Sequence, residues 1–289
     1  MPDRDKYPLL RYPGAKAKVA PLLSSLFPVE FDAYRVVCAG SAALLAYVPR
    51  CVRRWINDID PDITSVHKYV RDNPDAASEI RAMVKSLDTQ DKRRAAFYEA
   101  KDKLTQGRDP LSYLLVDRLA EKAIVSRTRS RRGTRSWLAN LDERYNWGPR
   151  CGLNALTPSR LAFWGETLEG VKTTTEDYAV PLCAPGENVF CVVDPPYLLG
   201  DHTRRLYEYD WSREDHRRLF ELLRDCPHRF LLTLHRSPLT LRLYLRNDFR
   251  TPFRRQKGFR VRQRRYLYSL AHRRHETHVT ELIIMNYDE

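Results

Sequence analysis

The spacing of hydrophobic residues changes along the chain and predicts three successive regions. In the first region, strand-like runs at 35–39 and 53–57 alternate with apolar residues at helical spacing at 14–27, 42–47 and 61–70. Strands that alternate with helices are typical of a parallel sheet whose faces are covered by those helices. We therefore expect the first region to form one half of an α/β domain.

The second region, residues 75–170, shows helical spacing without strands. Helices are predicted at 76–87, 92–104, 111–125 and 158–168. A helical region of this length, placed between strand-forming segments, is typical of a lobe inserted into a sheet domain.

Strand patterns return in the third region. Strands are predicted at 171–174, 189–193, 229–234 and 279–286, with a helix at 212–223. The sequence therefore predicts an α/β fold: a doubly wound, mostly parallel, Rossmann-like sheet. Its residues come from 1–74 and 171–289, and residues 75–170 form the inserted helical lobe.

Candidate chemistry appears directly after the apolar run 189–193, in Asp194-Pro195-Pro196-Tyr197. Proline cannot continue a sheet, so the chain must turn after Asp194. This places a carboxylate, a carbonyl and an aromatic ring at the carboxyl end of a strand, where ligands bind in open α/β sheets. Such groups can accept hydrogen bonds from an exocyclic amine and stack on its ring. Taken alone, the tetrapeptide is equally typical of a proline-rich turn.

Two earlier strand ends carry further candidates. Gly40 and Ser41 lie where the first strand meets its helix, so backbone N–H groups point toward a bound ligand. Asp58 ends the second strand, at the spacing of about 20 residues where an acid in a βαβ unit contacts a ribose. The alternative role for Asp58 is a helix cap, which Asp60 fits better. A ribose-binding acid beside an amine-binding acid indicates an adenosyl cofactor next to a nucleobase.

Charge and composition narrow the class of partner. The formal net charge is +13 and the isoelectric point is near 9.6. Clustered basic residues favour a nucleic acid, because they displace phosphate counterions, although such charge also serves solubility. No apolar stretch is long enough to span a membrane and the polar start lacks a signal-peptide core, so we expect a soluble, cytoplasmic protein. The cysteines and histidines lack metal-ligand spacing, and no metal is expected.

Four motifs occur together in one order: Arg11-Tyr12-Pro13-Gly14-Ala15-Lys16, Cys38-Ala39-Gly40-Ser41, Asn57-Asp58-Ile59-Asp60 and Asp194-Pro195-Pro196-Tyr197. With them, the chain resembles the Dam-type (D12 class, alpha group) DNA adenine-N6 methyltransferases, in which a target-recognition lobe precedes the Asp-Pro-Pro-Tyr motif. Residues 281–287 also look like the last strand of that family. The middle region matches only in being helical and basic.

The resemblance implies S-adenosylmethionine as cofactor, no metal, and a Rossmann-like methyltransferase sheet. Implied cofactor-binding residues are Tyr12, Lys16, Cys38, Gly40, Ser41, Asp58 and Asp194. Implied catalytic residues are Asp194, Pro195, Pro196 and Tyr197. Asp194 and the Pro195 carbonyl would accept the two hydrogens of the adenine amine, and Tyr197 would stack on the flipped-out base.

Duplex DNA is the expected partner of a monomeric protein. The first set of candidate contacts is Arg127, Arg129, Arg131, Arg132, Arg135 and Trp137. Arginine can bind guanine edges or only phosphates, and both roles stay open here. The second set, Arg254, Arg255 and Lys257, is predicted to contact phosphates from a hairpin near the active site.

Two positions depart from the pattern of the family. Cys38 stands where the glycine-rich turn normally has glycine, and Tyr34 or Arg35 stands where an acid is usual. This departure supports a second hypothesis, in which a methyltransferase-fold protein binds DNA with weak or no turnover. A third hypothesis keeps the chemistry and moves it to adenine in RNA.

Overall fold

A seven-stranded sheet forms the centre of the computed structural model. The structure describes residues 4–12, 14–120, 127–129, 135–137, 140–141, 151–197, 209, 211–245, 259–267 and 278–288. The strands are β1 Ala33–Val36, β2 Arg53–Asn57, β3 Arg127–Arg129, β4 Arg135–Trp137, β5 Lys172–Thr174, β6 Val189–Val193, β7 Arg229–His235, β8 Arg260–Leu267 and β9 His278–Met285. Strands β3 and β4 form a separate antiparallel pair.

The strand order of the large sheet is β5-β2-β1-β6-β7-β9-β8. Strands β5, β2, β1, β6 and β7 are parallel, and β9 lies antiparallel between β7 and β8. From β1 the chain first proceeds to β2 on one side and later to β6 on the other. This reversal opens a crevice at the carboxyl ends of β1 and β6. The predicted doubly wound, mostly parallel α/β fold is confirmed.

Helices flank this sheet. They are α1 Ala20–Ser24, α2 Pro61–Asp72, α3 Ala76–Ser86, α4 Gln90–Gln106, α5 Pro110–Leu119, α6 Pro158–Leu168, α7 Ala179–Cys183, α8 Arg213–Arg224 and α9 Pro238–Leu245. Short 3₁₀ helices occupy Arg4–Lys6, Lys16–Lys18, Ala43–Tyr47 and Gly152–Ala155. The short helices α7 and α9 were not predicted, because neither contains enough turns to show a clear period.

Two predicted helices differ from the observed ones. The helix expected at 14–27 is a 3₁₀ turn followed by α1, because Pro21 lacks an N–H and is tolerated only in the first turn of a new helix. The helix expected at 111–125 ends at Leu119, because Ala120 takes an extended conformation and bridges to Leu141.

The two faces of the sheet carry two hydrophobic clusters. Side chains alternate along β6: Phe190 belongs to the first cluster and Cys191 to the second. The first cluster also contains Ile63 of α2, Phe97 of α4 and Trp164 of α6. Helices of the region 75–170 therefore share their apolar core with the sheet. The domain bounds at 74 and 170 stay a prediction.

The segment 4–12 crosses the helices of the central region and is held by side-chain bonds. The backbone N–H of Arg11 donates to Asp117 Oδ2 at 2.8 Å, and Arg118 donates to the Pro8 carbonyl at 2.8 Å. Asp117 and Arg118 are both buried in the last turn of α5. Helix α5 thereby fixes the chain just before Tyr12.

Candidate active site

A cavity of about 220 Å³ lies at the carboxyl ends of β1, β2 and β6. It is lined by all ten residues that the sequence assigned to cofactor binding or catalysis. These are Tyr12, Lys16, Cys38, Gly40, Ser41, Asp58, Asp194, Pro195, Pro196 and Tyr197. The structure thus brings together residues from distant motifs in one place, at the edge of the sheet where the topology reverses.

The turn after β1 depends on a glycine. Gly40 has a φ of +46°, and a Cβ there would lie 2.9 Å from Tyr12 Cδ1. Its N–H donates to Asp58 Oδ2 at 2.7 Å. Gly40 therefore lets both the Tyr12 ring and the Asp58 carboxylate approach the turn closely.

Asp58 and Asp60 have separate roles in the structure. Asp60 is the N-cap of α2 and accepts from the Asp62 N–H at 2.9 Å, as its position predicted. Asp58 accepts from the N–H groups of Gly40 and Asp60 at 2.7 and 2.9 Å. Burial raises the pKa of Asp58, and these backbone bonds oppose the rise. The carboxylate is thus held rigidly at the cavity wall.

The cavity lining is acidic. Burial raises the pKa of the Cys38 thiol well above its usual value, and the nearby carboxylates of Asp58, Asp194 and Asp177 raise it further. Cys38 therefore stays a neutral thiol and adds no charge to that of the three acids. Such a lining attracts a cationic ligand.

The outer part of the cavity is aromatic and apolar. The rings of Tyr178 and Trp211 pack with centroids 4.6 Å apart, and Ile59 lines the same cavity with 43% of its surface exposed. Tyr178 and Trp211 were not predicted from the sequence. Both lie outside the recognised motifs, beside helix starts, so that no spacing rule connects them to the strand ends.

Asp194 is surrounded by donors. The Lys16 Nζ lies 2.7 Å from each carboxylate oxygen, and Thr233 Oγ1 donates to Oδ1 at 2.6 Å. The Tyr197 hydroxyl lies 3.3 Å from the same oxygen. The Lys16 ammonium also donates to the Gly14 carbonyl at 2.9 Å, so it joins the N-terminal motif to the Asp-Pro-Pro-Tyr motif, and its assignment to the cofactor stays a prediction.

A second carboxylate, Glu281, completes this group. It accepts from the Tyr197 hydroxyl at 2.6 Å and lies 3.6 Å from the Lys16 Nζ. Burial raises the pKa of Glu281, as does Asp194, while Lys16 lowers it. Sequence reasoning gave no role to Glu281 or Thr233. The available signal was a polar residue within the apolar run 230–234 of β7 and another directly before the apolar run 282–285 of β9.

The predicted DNA contacts are only partly described. Strand β3 pairs with β4 so that Arg127 lies opposite Trp137 and Arg129 opposite Arg135. The other predicted contacts lie outside the described residues: Arg131, Arg132, Arg254, Arg255 and Lys257. Strand β8 follows the second basic set and pairs with β9, forming the sheet edge.

The described ranges contain neither a candidate membrane-spanning helix nor a candidate metal-binding group. No helix there combines the length and the apolar composition that a membrane span requires. In the same ranges, no group of three or more His, Cys, Asp or Glu side chains is arranged to hold a metal ion.

Comparison with known proteins identifies the family. No curated protein matches the chain. A family model described as D12 class N6 adenine-specific DNA methyltransferase matches residues 12–266, which include Tyr12, Asp58 and Asp194. Because this match covers most of the chain, the protein belongs to the D12 class N6 adenine-specific DNA methyltransferase family.

Proposed function

We propose that the protein transfers a methyl group from S-adenosylmethionine to the N6 amine of a flipped-out adenine in duplex DNA. The observation that carries the proposal is the shared cavity, in which the Gly40 turn and Asp58 adjoin Asp194. Membership of the family supports methylation of adenine N6 in DNA. The methyl donor, the flipping of the base and the individual residue roles belong to the proposal.

The cavity fits S-adenosylmethionine on chemical grounds. This cofactor supplies a methyl group activated on a sulfonium, so it carries positive charge that suits the acidic lining around Cys38. Asp58 would accept from the ribose hydroxyls, while Ile59 and Tyr178 would cover the adenine ring. Tyr12 would contact the methionine portion beside the Gly40 turn. We infer these roles from the types of group that line the cavity.

Asp194 and the Pro195 carbonyl would prepare the adenine amine. The lone pair of this amine is delocalised into the ring, which makes the nitrogen a poor nucleophile. Two groups that accept hydrogen bonds from its N–H groups favour a pyramidal nitrogen, with the lone pair directed at the methyl group. Positioning of this kind supplies a large part of the rate enhancement when two reactants are held together.

The target base must leave the duplex, because its amine is paired inside the helix. Tyr197 is proposed to stack on the extruded base. Its hydroxyl is held by Glu281, and the Lys16 Nζ lies 5.0 Å from its ring centroid. A ring that is held from its hydroxyl end offers a fixed surface to the base.

Mass spectrometry after incubation with labelled S-adenosylmethionine tests the proposal. The intact protein should convert adenine to N6-methyladenine in duplex DNA and leave RNA unmodified. Methylation of RNA alone would assign the substrate to RNA, and the absence of cofactor binding in calorimetry would overturn the enzymatic proposal in favour of a DNA-binding protein.

The variant D194A should lose about 100-fold or more of kcat, because the amine loses its charged acceptor. Its fold should persist, since the Lys16 ammonium still has Glu281 within 3.6 Å. The matched control is D225A, which removes an exposed acid after α8 and should keep full activity. Methyl transfer by D194A at the parent rate would remove Asp194 from the mechanism.

A further inference from the structure

Glu281 is an unusual acid for its position. It lies in β9 between β7 and β8, is only 2% exposed, and is followed by the apolar residues 282–285. A buried carboxylate costs stability unless it is paired and hydrogen-bonded. Its two contacts, to the Tyr197 hydroxyl and the Lys16 ammonium, both belong to the candidate active site.

Asp194 and Glu281 share one cation. The Lys16 Nζ lies 2.7 Å from Asp194 and 3.6 Å from Glu281, so the ammonium is bonded to the first acid and close to the second. A shift of about 1 Å would bring it into charge-assisted hydrogen-bond range of Glu281. The three groups together carry one net negative charge wherever the ammonium lies.

This arrangement matters for the proposed reaction, because Asp194 is engaged by Lys16. An adenine amine that donates to Asp194 must compete with the ammonium for the same oxygens. Without a second acid, a displaced Lys16 would keep the Gly14 carbonyl, 2.9 Å from its Nζ, but would lose its carboxylate counterion, which is costly for a buried cation. With Glu281 present, the displaced ammonium keeps a carboxylate partner.

We propose that Glu281 is a positioning residue for methyl transfer: it receives the Lys16 ammonium when the target amine binds Asp194, and it holds the Tyr197 ring through the hydroxyl. This inference rests on the proposed function and deepens it. Lys16 is thereby a mobile counterion of two acids in the reaction site.

The variant E281Q is the main test. Glutamine keeps the shape and can still accept from Tyr197, but its amide cannot pair with the displaced ammonium. We expect kcat to fall about 10- to 100-fold, with the Kd for S-adenosylmethionine changed less than about threefold and Tm unchanged or raised. E281D, which restores the charge, should recover part of kcat. A parent-like kcat in E281Q overturns the inference, and so does a Tm loss that parallels the loss of kcat.

A double-mutant cycle with K16M distinguishes coupling between Glu281 and Lys16 from a general loss of structure. If Glu281 acts by receiving the ammonium, E281Q should cause little further loss of kcat in the K16M background. Additive losses would overturn the inference. N286A serves as the matched control on the same chain segment, because Asn286 bonds Phe230 N and His228 O at 2.8 and 2.9 Å. It should lower Tm and leave kcat unchanged.

The pH profile gives a readout that a purely structural role would not change. Protonation of Glu281 at low pH would act like E281Q, so the acid limb of the kcat profile should flatten in E281Q. Among the described residues, the charged or titratable groups that face Glu281 are Lys16, Asp194, Tyr197, His235 and Arg264. An unchanged acid limb contradicts the inference. If the intact protein transfers no methyl group at all, the proposed function fails first and separately.

Discussion

At the scale of single residues, the candidate site depends on side chains that hold other side chains. Thr233 is 1% exposed in β7, and its hydroxyl donates to Asp194 Oδ1 at 2.6 Å. A carboxylate that accepts such a bond has a fixed rotamer and therefore a fixed direction toward its substrate. Thr233 is in this respect the partner of Lys16 in orienting Asp194.

The variant T233V removes the hydroxyl while keeping the volume of the side chain. We expect kcat to fall about tenfold, because Asp194 loses one orienting donor, and the unfolding free energy to change by about 1 kcal/mol. Steady-state kinetics and urea unfolding measure both quantities. T233S, which retains the hydroxyl, should keep most of kcat. Equal rates in the two variants would show that the bond to Asp194 has no effect on the reaction.

The location of a residue inside a recognisable motif was predictable from the sequence. The contacts of residues that connect separate motifs were not. Asp194 follows an apolar run and precedes two prolines, so its place at a strand end is a local property of the sequence. Glu281 and Thr233 also lie in apolar runs, but their meaning depends on Asp194 and Tyr197, which are distant in the chain. Local spacing contains no information about such pairings.

At the scale of elements, α5 connects the central helices to the candidate active site. Its last turn holds the segment 4–12 through Asp117 and Arg118. Burial raises the pKa of Asp117 to about 6, while Arg11 and Arg118 oppose the rise. Because the carboxyl keeps its proton longer in the folded state than in the unfolded state, its contribution to stability is present below about pH 4. It is lost as the pH rises through about 6.

The variant D117N should remove this pH dependence. The unfolding free energy of the parent, relative to D117N, should decrease by about 2 to 3 kcal/mol between pH 4 and pH 7. Urea unfolding of both proteins across that range gives the difference. A difference that is constant with pH would mean that Asp117 ionises alike in the folded and unfolded states. D102N, which changes an exposed acid of α4 in the same way, is the control for the substitution itself.

Some secondary-structure elements match their predicted bounds, and others do not. Strand β2 and helix α6 match their predicted bounds. The prediction of one continuous helix at 14–27 is wrong because of Pro21. This proline is visible in the sequence, and its effect on the backbone outweighs the apolar spacing around it. The end of α5 could not be predicted from the sequence, because alanine has a high helix propensity. In the structure Ala120 is extended because it forms a β-bridge with Leu141.

At the scale of the whole molecule, the dominant property is the net charge of +13. Neutralisation of DNA phosphates by basic residues releases counterions, so DNA affinity falls steeply as salt increases. In the proposed reaction, S-adenosylmethionine has a small net charge and would bind inside the cavity, where salt has less effect. The two substrates should therefore respond differently to ionic strength.

Raising salt from 50 to 200 mM should increase the KM for duplex DNA by about tenfold or more. The Kd for S-adenosylmethionine, measured by calorimetry, should change by less than about twofold. A salt-independent KM for DNA would assign the positive charge to solubility and leave DNA binding to non-ionic contacts.

The group formed by Lys16, Asp194, Tyr197 and Glu281 also has a consequence for folding. Asp194 follows Lys16 by 178 residues, and Glu281 follows Tyr197 by 84. Contacts between segments so far apart form slowly, because the chain must close large loops before it gains their energy. Helices such as α4 can form early, whereas this group requires β9 to be in place between β7 and β8. We therefore expect the candidate active site to be among the last parts of the molecule to form during folding.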